Sequence, residues 1–197
     1  DLAPGDFVLV DQFIDRTYLR EKSFFGKGCV AHVSLAHPTC NNFSKIIFEI
    51  GKKLEIKIQL GGTYMTMEGP QFSTLAESKL YKDNWKCDVI GMTNMPEAKL
   101  AKEAEICYTS LSMVTDFDCW HPDHDSVEVS DIIETLTNNS SKAQRIIETL
   151  PEFLKSNKDL CSLGCNNALD NAIITAPEKR DPKVLKTLDV LLQRLNK

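Results

Sequence analysis

Long apolar runs are missing from this chain: no stretch reaches the roughly 18 to 20 residues that a membrane-spanning helix requires. A surplus of positive charge is missing too. With 23 Lys and Arg against 28 Asp and Glu, the net charge is -5, and no electrostatic footprint for nucleic acid is visible. The opening "DLAPGDFVLVDQF" has no basic n-region ahead of an apolar h-region, so it does not read as a secretory signal. Internal repeats and low-complexity linkers are also lacking, which points to residues 1–197 as one domain. Neither a membrane nor a nucleic acid is expected as a partner, and a cytoplasmic location is.

What is present is ordinary in bulk: 42% hydrophobic and 26% charged residues, as in soluble globular chains with a sizeable core. The cysteines number 7. Without a secretory signal they are expected to be reduced. Cys161 and Cys165 form a CxxxC without neighbouring His, which is poor zinc spacing. A local disulfide or plain buried thiols suit it better.

Periodicity places the elements. "GDFVLVDQFID" (5–15) reads as a strand, and "GCVAHVSLAHP" (28–38) as a second extended candidate. Phe43, Ile46, Ile47, Ile50 and Leu54 recur at spacings of three and four, which predicts an amphipathic helix over 41–54 capped by Asn or Ser. "IKIQLGGTYMTM" (56–67) is a strand run interrupted at Gly61 and Gly62. "STLAESKLYKDNW" predicts a helix, "CDVIGMT" (87–93) a short strand, "PEAKLAKEAEI" (96–106) a helix with Pro in its first turn, and "CYTSLSMVTDF" a further strand. A long helical region follows, then a terminal helix in "PKVLKTLDVLLQRL". Strands alternating with helices imply an α/β fold with a mixed, mostly parallel sheet flanked by helices. Such sheets bind ligands at the carboxyl ends of their strands.

Three tight features fall at predicted strand ends: "MEGPQFS", "GMTNMPE" and "VTDFDCW". In the first, Phe72 is placed to stack on a planar ligand or to fill core, and Glu68 to hold sugar hydroxyls or cap the next helix. In the second, Met92 offers an adaptable thioether and Thr93 a hydroxyl for an anion, against core filler for Met92. In the third, Asp116 and Asp118 follow an apolar strand at i, i+2, which in a strand projects both carboxylates from one face. Carboxylates held together resist ionising together, so one can carry a proton near neutral pH; loop hydrogen bonding is the plainer alternative. "HPDHD" (121–125) offers His121, Asp123 and His124 as metal ligands, but they flank Pro122 in a turn, which favours a solvated loop. His32 sits in an apolar run, where a structural role is commoner than a catalytic one.

Together "VDQFIDRT", "GTYMTMEGPQFSTLAES", "DVIGMTNMPEAKLAKEAEICY" and "VTDFDCW", in that order, resemble the methylthioadenosine and purine nucleoside phosphorylase family of the trimeric type. The likeness covers nearly the whole chain and is weakest after residue 150. It implies phosphorolysis: phosphate attacks the anomeric carbon of a nucleoside and the free purine departs. It also implies a homotrimer, phosphate as co-substrate and no cofactor or metal. By the resemblance, Asp116 and Asp118 face the purine N7 and 6-amino group, and Phe72 stacks on the base with Ser73 at its edge. Met92 packs under the ribose, Thr93 binds phosphate, and His32 borders the 5′ pocket, reached from a neighbouring subunit. Val129, Ile132 and Ile133 line a seat for a methylthio group. "TDFD" matches the readers of 6-aminopurines, so methylthioadenosine, yielding adenine and 5-methylthioribose 1-phosphate, is the expected substrate.

The competing readings are a phosphorylase of inosine or guanosine, a purine-binding piece without catalysis, and a metal-dependent hydrolase built on "DFDCWHPDH". Family members also carry an N-terminal third with a Gly-rich phosphate loop and an Arg-His pair. Only Arg16 and Arg20 stand near the start here, so the chain is expected to be a C-terminal portion that supplies the base and sugar site. "GCNNALDNAIIT" resembles bacterial members more than animal ones.

Overall fold

A computed structural model describes residues 2–122, 129–156 and 161–195. Its centre is a pair of bent strands. β1 (Phe7–Val10) and β2 (Gln12–Arg16) are separated by Asp11 alone, and β3 (Ile58–Leu60) and β4 (Thr63–Met67) by Gly61 and Gly62. The pairing is parallel throughout and keeps one register: Phe7 faces Ile58, and Gln12 faces Thr63, so each residue meets the one 51 positions later on both sides of the bend. The predicted single strands over 5–15 and 56–67 are therefore each broken in two. Gly61 and Gly62 break theirs because both have positive φ, 87° and 153°, conformations that side-chain-bearing residues avoid. Asp11 closes the corner by accepting from the Gly62 N–H at 3.1 Å.

The bend splits the ladder into two sheets of three strands, ordered β3-β1-β6 and β2-β4-β5. β5 (Val89–Gly91) extends β4 in parallel. β6 (Ser110–Met113) runs antiparallel to β1. Of the four strand pairs three are parallel, so the sheets are mixed and mostly parallel, as the alternation predicted. The extended candidate at 28–38 forms no strand; its backbone meets the rest of the fold through an isolated bridge of Ala31 with Ile173 and through single bonds such as that from the Asp181 N–H to the Gly28 carbonyl.

Helices cover the sheets. α1 (Asn41–Lys53) turns Ile46, Ile47 and Ile50 onto Phe7, Leu9 and Ile58, and α4 (Val129–Ser156) adds Ile146. Its N-cap is Cys40, not Asn or Ser, and Cys40 makes no side-chain capping bond. Lys52 and Lys53 end it, where cations complement the helix dipole. Every residue of β1 is buried, because Val8 and Val10 pack on the opposite side against Tyr64. That explains its unbroken apolar run. α2 (Leu75–Lys79) begins with a reciprocal cap between Thr74 and Glu77 and passes into a wider turn over Leu80–Asn84. α3 (Glu97–Glu103) is capped by Pro96. The predicted terminal helix is two short ones, α5 (Pro182–Thr187) and α6 (Asp189–Leu192). No described helix is long and apolar enough to cross a membrane.

Candidate active site

The parallel strands β2, β4 and β5 end on one edge, at Arg16, Met67 and Gly91. Beyond that edge lies a cavity of about 1180 Å³, lined among others by Phe72, Ser73, Met92, Thr93, Asp116 and Asp118. Six predicted site residues, from three separate motifs, thus meet around one space. It exceeds the usual 300–1,000 Å³ of a small-molecule site.

Each wall has a local cause. After β4 the chain turns through Gly69 with φ 73°, and a Cβ there would approach the Met92 sulfur to 2.7 Å. Only glycine lets the first motif lie directly on the second. Glu68, just ahead of the turn, neither caps α2 nor projects freely. It accepts from the backbone N–H groups of Tyr18 and Leu19 and from the Arg20 guanidinium. Those N–H bonds, with Arg20, hold its carboxyl below the usual glutamate range. Phe72 follows, 84% exposed, an aromatic face with little protein packed on it. The Ser73 and Ser112 hydroxyls are buried without a hydrogen-bond partner among the described residues, and both line the cavity. Buried polar atoms ordinarily find partners, so these are candidates for bonds to a ligand.

Thr93 stands beyond β5 within 3.2 Å of the Tyr64 hydroxyl, and its carbonyl accepts from Thr66. Tyr64 was not singled out in the sequence. A Cβ on Gly91 would fall 2.0 Å from its oxygen, so Gly91 admits that ring beneath the site. Asn94, buried and at φ 70°, accepts from the Tyr108 hydroxyl at 2.8 Å, and burial pushes the Tyr108 phenol up to about 12.

The carboxylates differ from expectation in setting. β6 stops at Met113, so Asp116 and Asp118 lie in the following loop, where strand alternation no longer applies. β6 is also antiparallel to β1, and this motif does not leave the same edge as the other two. The two acids have separate partners. Asp116 accepts from Thr115. Asp118 accepts from the Cys119 N–H at 2.8 Å and from the Ser78 hydroxyl at 2.5 Å. Ser78 is 1% exposed on α2, and this bond fixes the loop to the element that follows Phe72. In the sequence "AESK" looked like plain helix, so Ser78 gave no signal. Phe117 stacks on His121 with centroids 4.1 Å apart, and both line the cavity.

Three predicted residues do not meet the others here. His32 is solvent-exposed, its backbone N–H bonded to the Ala172 carbonyl, and it does not line the cavity. Ile133 is 58% exposed and Ile132 half-buried near the start of α4, neither at the cavity wall. The Val129 side chain lies outside the described residues, as do Asp123, His124 and Asp125 of the histidine-rich turn. Among the described residues the metal-capable convergence is elsewhere, at Cys40, Cys107, Cys161 and Cys165.

Residues 1–152 match the model of the Phosphorylase superfamily. All of the chain aligns at 58% identity with 68% of an S-methyl-5'-thioadenosine phosphorylase of Cereibacter sphaeroides. A protein of the same name from Bradyrhizobium diazoefficiens is 56% identical over 99% of the chain and 67% of its own length. Among solved structures, a methylthioadenosine phosphorylase from an antarctic soil metagenomic library superposes with a TM-score of 0.90 at 41% identity, over 97% of this chain and 67% of that one. The Schistosoma mansoni methylthioadenosine phosphorylase in complex with adenine gives 0.79 at 29% identity, over 88% and 68%. The chain thus spans about two thirds of the length of these relatives.

Proposed function

The chain belongs to the phosphorylase superfamily, and from that premise we propose that it carries the base and sugar site of a 5'-methylthioadenosine phosphorylase. The reaction is phosphorolysis to adenine and 5-methylthioribose 1-phosphate. The observation that carries the reading is the convergence of Phe72, Ser73, Met92, Thr93, Asp116 and Asp118 on one cavity. Relatives at 58% and 56% identity bear the name of this activity.

The chemistry fits these groups. As the glycosidic bond breaks, the purine gains negative charge, and a proton or hydrogen bond delivered at N7 relieves it. Asp116 or Asp118 occupies that role in the proposal, the other accepting from the 6-amino group. A carboxylate accepts from an amino group and repels a 6-keto oxygen, which sets adenine above hypoxanthine. The Ser78 bond positions Asp118 before the substrate arrives, so the loop need not reorganise. Phe72 offers a ring face to the base, and the unpartnered Ser73 hydroxyl a bond at its edge. Met92 packs against the ribose, and Thr93, held by Tyr64, reaches phosphate. Val129, Ile132 and Ile133, with His32 from an adjoining subunit, would complete the 5′ end in a homotrimer. Phosphate as co-substrate, no resident cofactor and a cytoplasmic location complete the proposal.

The test is release of adenine from methylthioadenosine, with and without phosphate and with inosine as control. Release that requires phosphate and leaves inosine intact supports the reading in full. Adenine binding without release restricts it to a purine-binding piece. Inosine cleavage in preference to methylthioadenosine overturns the assignment of the base.

A further inference from the structure

Four cysteines that the proposed reaction does not use come together from distant parts of the chain. The sulfurs of Cys40, Cys107, Cys161 and Cys165 all lie within 4.8 Å of one another. We propose that they form a tetrathiolate site for zinc(II), which clamps the C-terminal segment to the body of the fold.

The geometry is that of a common centre. Zinc bound by four thiolates sits about 2.3 Å from each sulfur, which in a tetrahedron sets the sulfurs about 3.8 Å apart. Side-chain adjustments of about an ångström bring the present cluster to that size. A disulfide would use two sulfurs and leave the other two crowded against it; a single ion uses all four. Cys40 and Cys165 are buried, and Cys107 and Cys161 half-buried, which suits a closed structural site with no open coordination position.

The backbone around the sulfurs is arranged for thiolates. Cys161 to Cys165 form a tight turn through Gly164 at φ 63°, where a Cβ would meet the Asn167 side chain at 2.6 Å. The turn directs the Cys165 N–H onto the Cys161 sulfur at 3.1 Å. Such N–H donors satisfy a metal-bound sulfur that has no proton of its own. Independently, Lys102 is buried, 7% exposed, and its ammonium points at the Cys165 sulfur at 3.7 Å. Among the described residues it has no carboxylate partner. A buried cation calls for an anion, and neutral thiols do not supply one. A zinc tetrathiolate carries a net charge of about −2 and does. On binding, the four thiols release their protons to solvent and no electron is transferred.

The ligands come from distant places. Cys40 is the N-cap of α1, Cys107 lies between α3 and β6, and the remaining two open the C-terminal segment. This wide separation explains why the sequence concealed the site, since CxxxC alone lacks half of its ligands.

Two measurements test the proposal on the intact chain, purified without chelator. Elemental analysis is expected to give about one zinc per chain, and cobalt(II) substitution to give the absorption of a tetrahedral thiolate complex. Alkylation followed by peptide mapping is expected to find Cys40, Cys107, Cys161 and Cys165 protected in the zinc-loaded chain and reactive once a chelator removes the metal. Cys161→Ser and Cys107→Ser should lower the zinc content at least 10-fold, while Cys87→Ser leaves it unchanged. A chain that takes up no zinc when supplied with it overturns the site. So does a disulfide among these four residues, or protection of a different set of thiols. The mapping needs no variant, so a Cys→Ser chain that fails to fold does not spare the proposal.

Discussion

The strand-end half of the molecule and its C-terminal segment are held together in different ways. Around the cavity, β2, β4 and β5 share a parallel ladder in constant register, and Phe72, Ser73, Met92 and Thr93 lie in the turns that follow its ends. Residues 161–195 have no strand, and no helix longer than six residues. That segment is fixed by bonds that reach far back along the chain. The Val30 N–H donates to the Thr175 hydroxyl, Asp181 N–H to the Gly28 carbonyl, and Leu169 N–H to the Glu105 carboxylate. Beneath them Leu169, Ala172, Leu188 and Leu192 pack on Phe25, Cys29 and Ala31. The first region takes its order from repetition, and the second from individual long-range contacts. One substitution should therefore cost the second region more.

The largest effect that tests this contrast is expected for Leu169→Ala. Leu169 is 1% exposed at the centre of the C-terminal cluster, and truncating a buried leucine costs about 2–5 kcal/mol. Hydrogen exchange should show amides in 161–195 losing protection before those of β1 and β4. Uniform loss across both regions would mean that they unfold as one unit and that the contrast is only architectural.

At the site itself, Asp118→Asn tests whether the carboxylate reads the base. Loss of a hydrogen bond to a charged group is worth about 1.5–3 kcal/mol, or about 10- to 150-fold in affinity for adenine. Asparagine keeps the volume and can still accept from Ser78, so a thermal midpoint close to that of the parent is expected beside the affinity loss. An unchanged affinity for adenine would remove Asp118 from the proposed site.

The same contrast governs what could be read beforehand. The motifs "MEGPQFS" and "GMTNMPE" were legible because a short apolar run followed by a Gly or Pro turn marks a strand end, and strand ends of one parallel sheet share an edge. Features that depend on tertiary geometry leave no such local mark. The strand in "CYTSLSMVTDF", from whose end Asp116 and Asp118 are expected to project together, stops at Met113, and nothing local says where a ladder runs out of partners. Tyr64 and Ser78 resembled ordinary strand and helix residues, because their roles depend on Gly91 and Asp118 across the fold. The stretch 28–38 looked extended from its apolar residues, yet it packs against the C-terminal segment and not into a sheet. The four-cysteine cluster was invisible for the same reason.

A smaller effect is expected for Thr74→Ala, on the ordered side of the comparison. The Thr74 hydroxyl accepts from the Glu77 N–H at 3.3 Å, and Glu77 answers the Thr74 N–H at 2.9 Å. Removing such a cap costs about 1 kcal/mol. Because α2 also carries Ser78, the loss should appear in adenine affinity as well as in the urea midpoint. A change in the midpoint alone would show that α2 holds Ser78 in place without its cap.

The smallest effect concerns the electrostatic tether of the C-terminal segment. Arg194 donates to both Glu105 oxygens and to Asp170, and Glu105 also accepts the Leu169 N–H. The Arg194 bonds, reinforced by that N–H, hold the Glu105 carboxyl below its ordinary 4.5. A carboxyl depressed in the folded state contributes stability above its unfolded value and loses it as pH falls through the folded one. The contribution should therefore be complete at neutral pH and fade below about pH 4.5. Arg194 is 42% exposed in this pair, so water and salt screen much of the attraction. In Arg194→Gln the urea midpoint at pH 7 should fall slightly, and the gap to the parent should close as the pH is lowered towards 3. A gap of constant size would show that Arg194 acts through packing of its aliphatic stem, and the tether would then be apolar like the cluster beneath it.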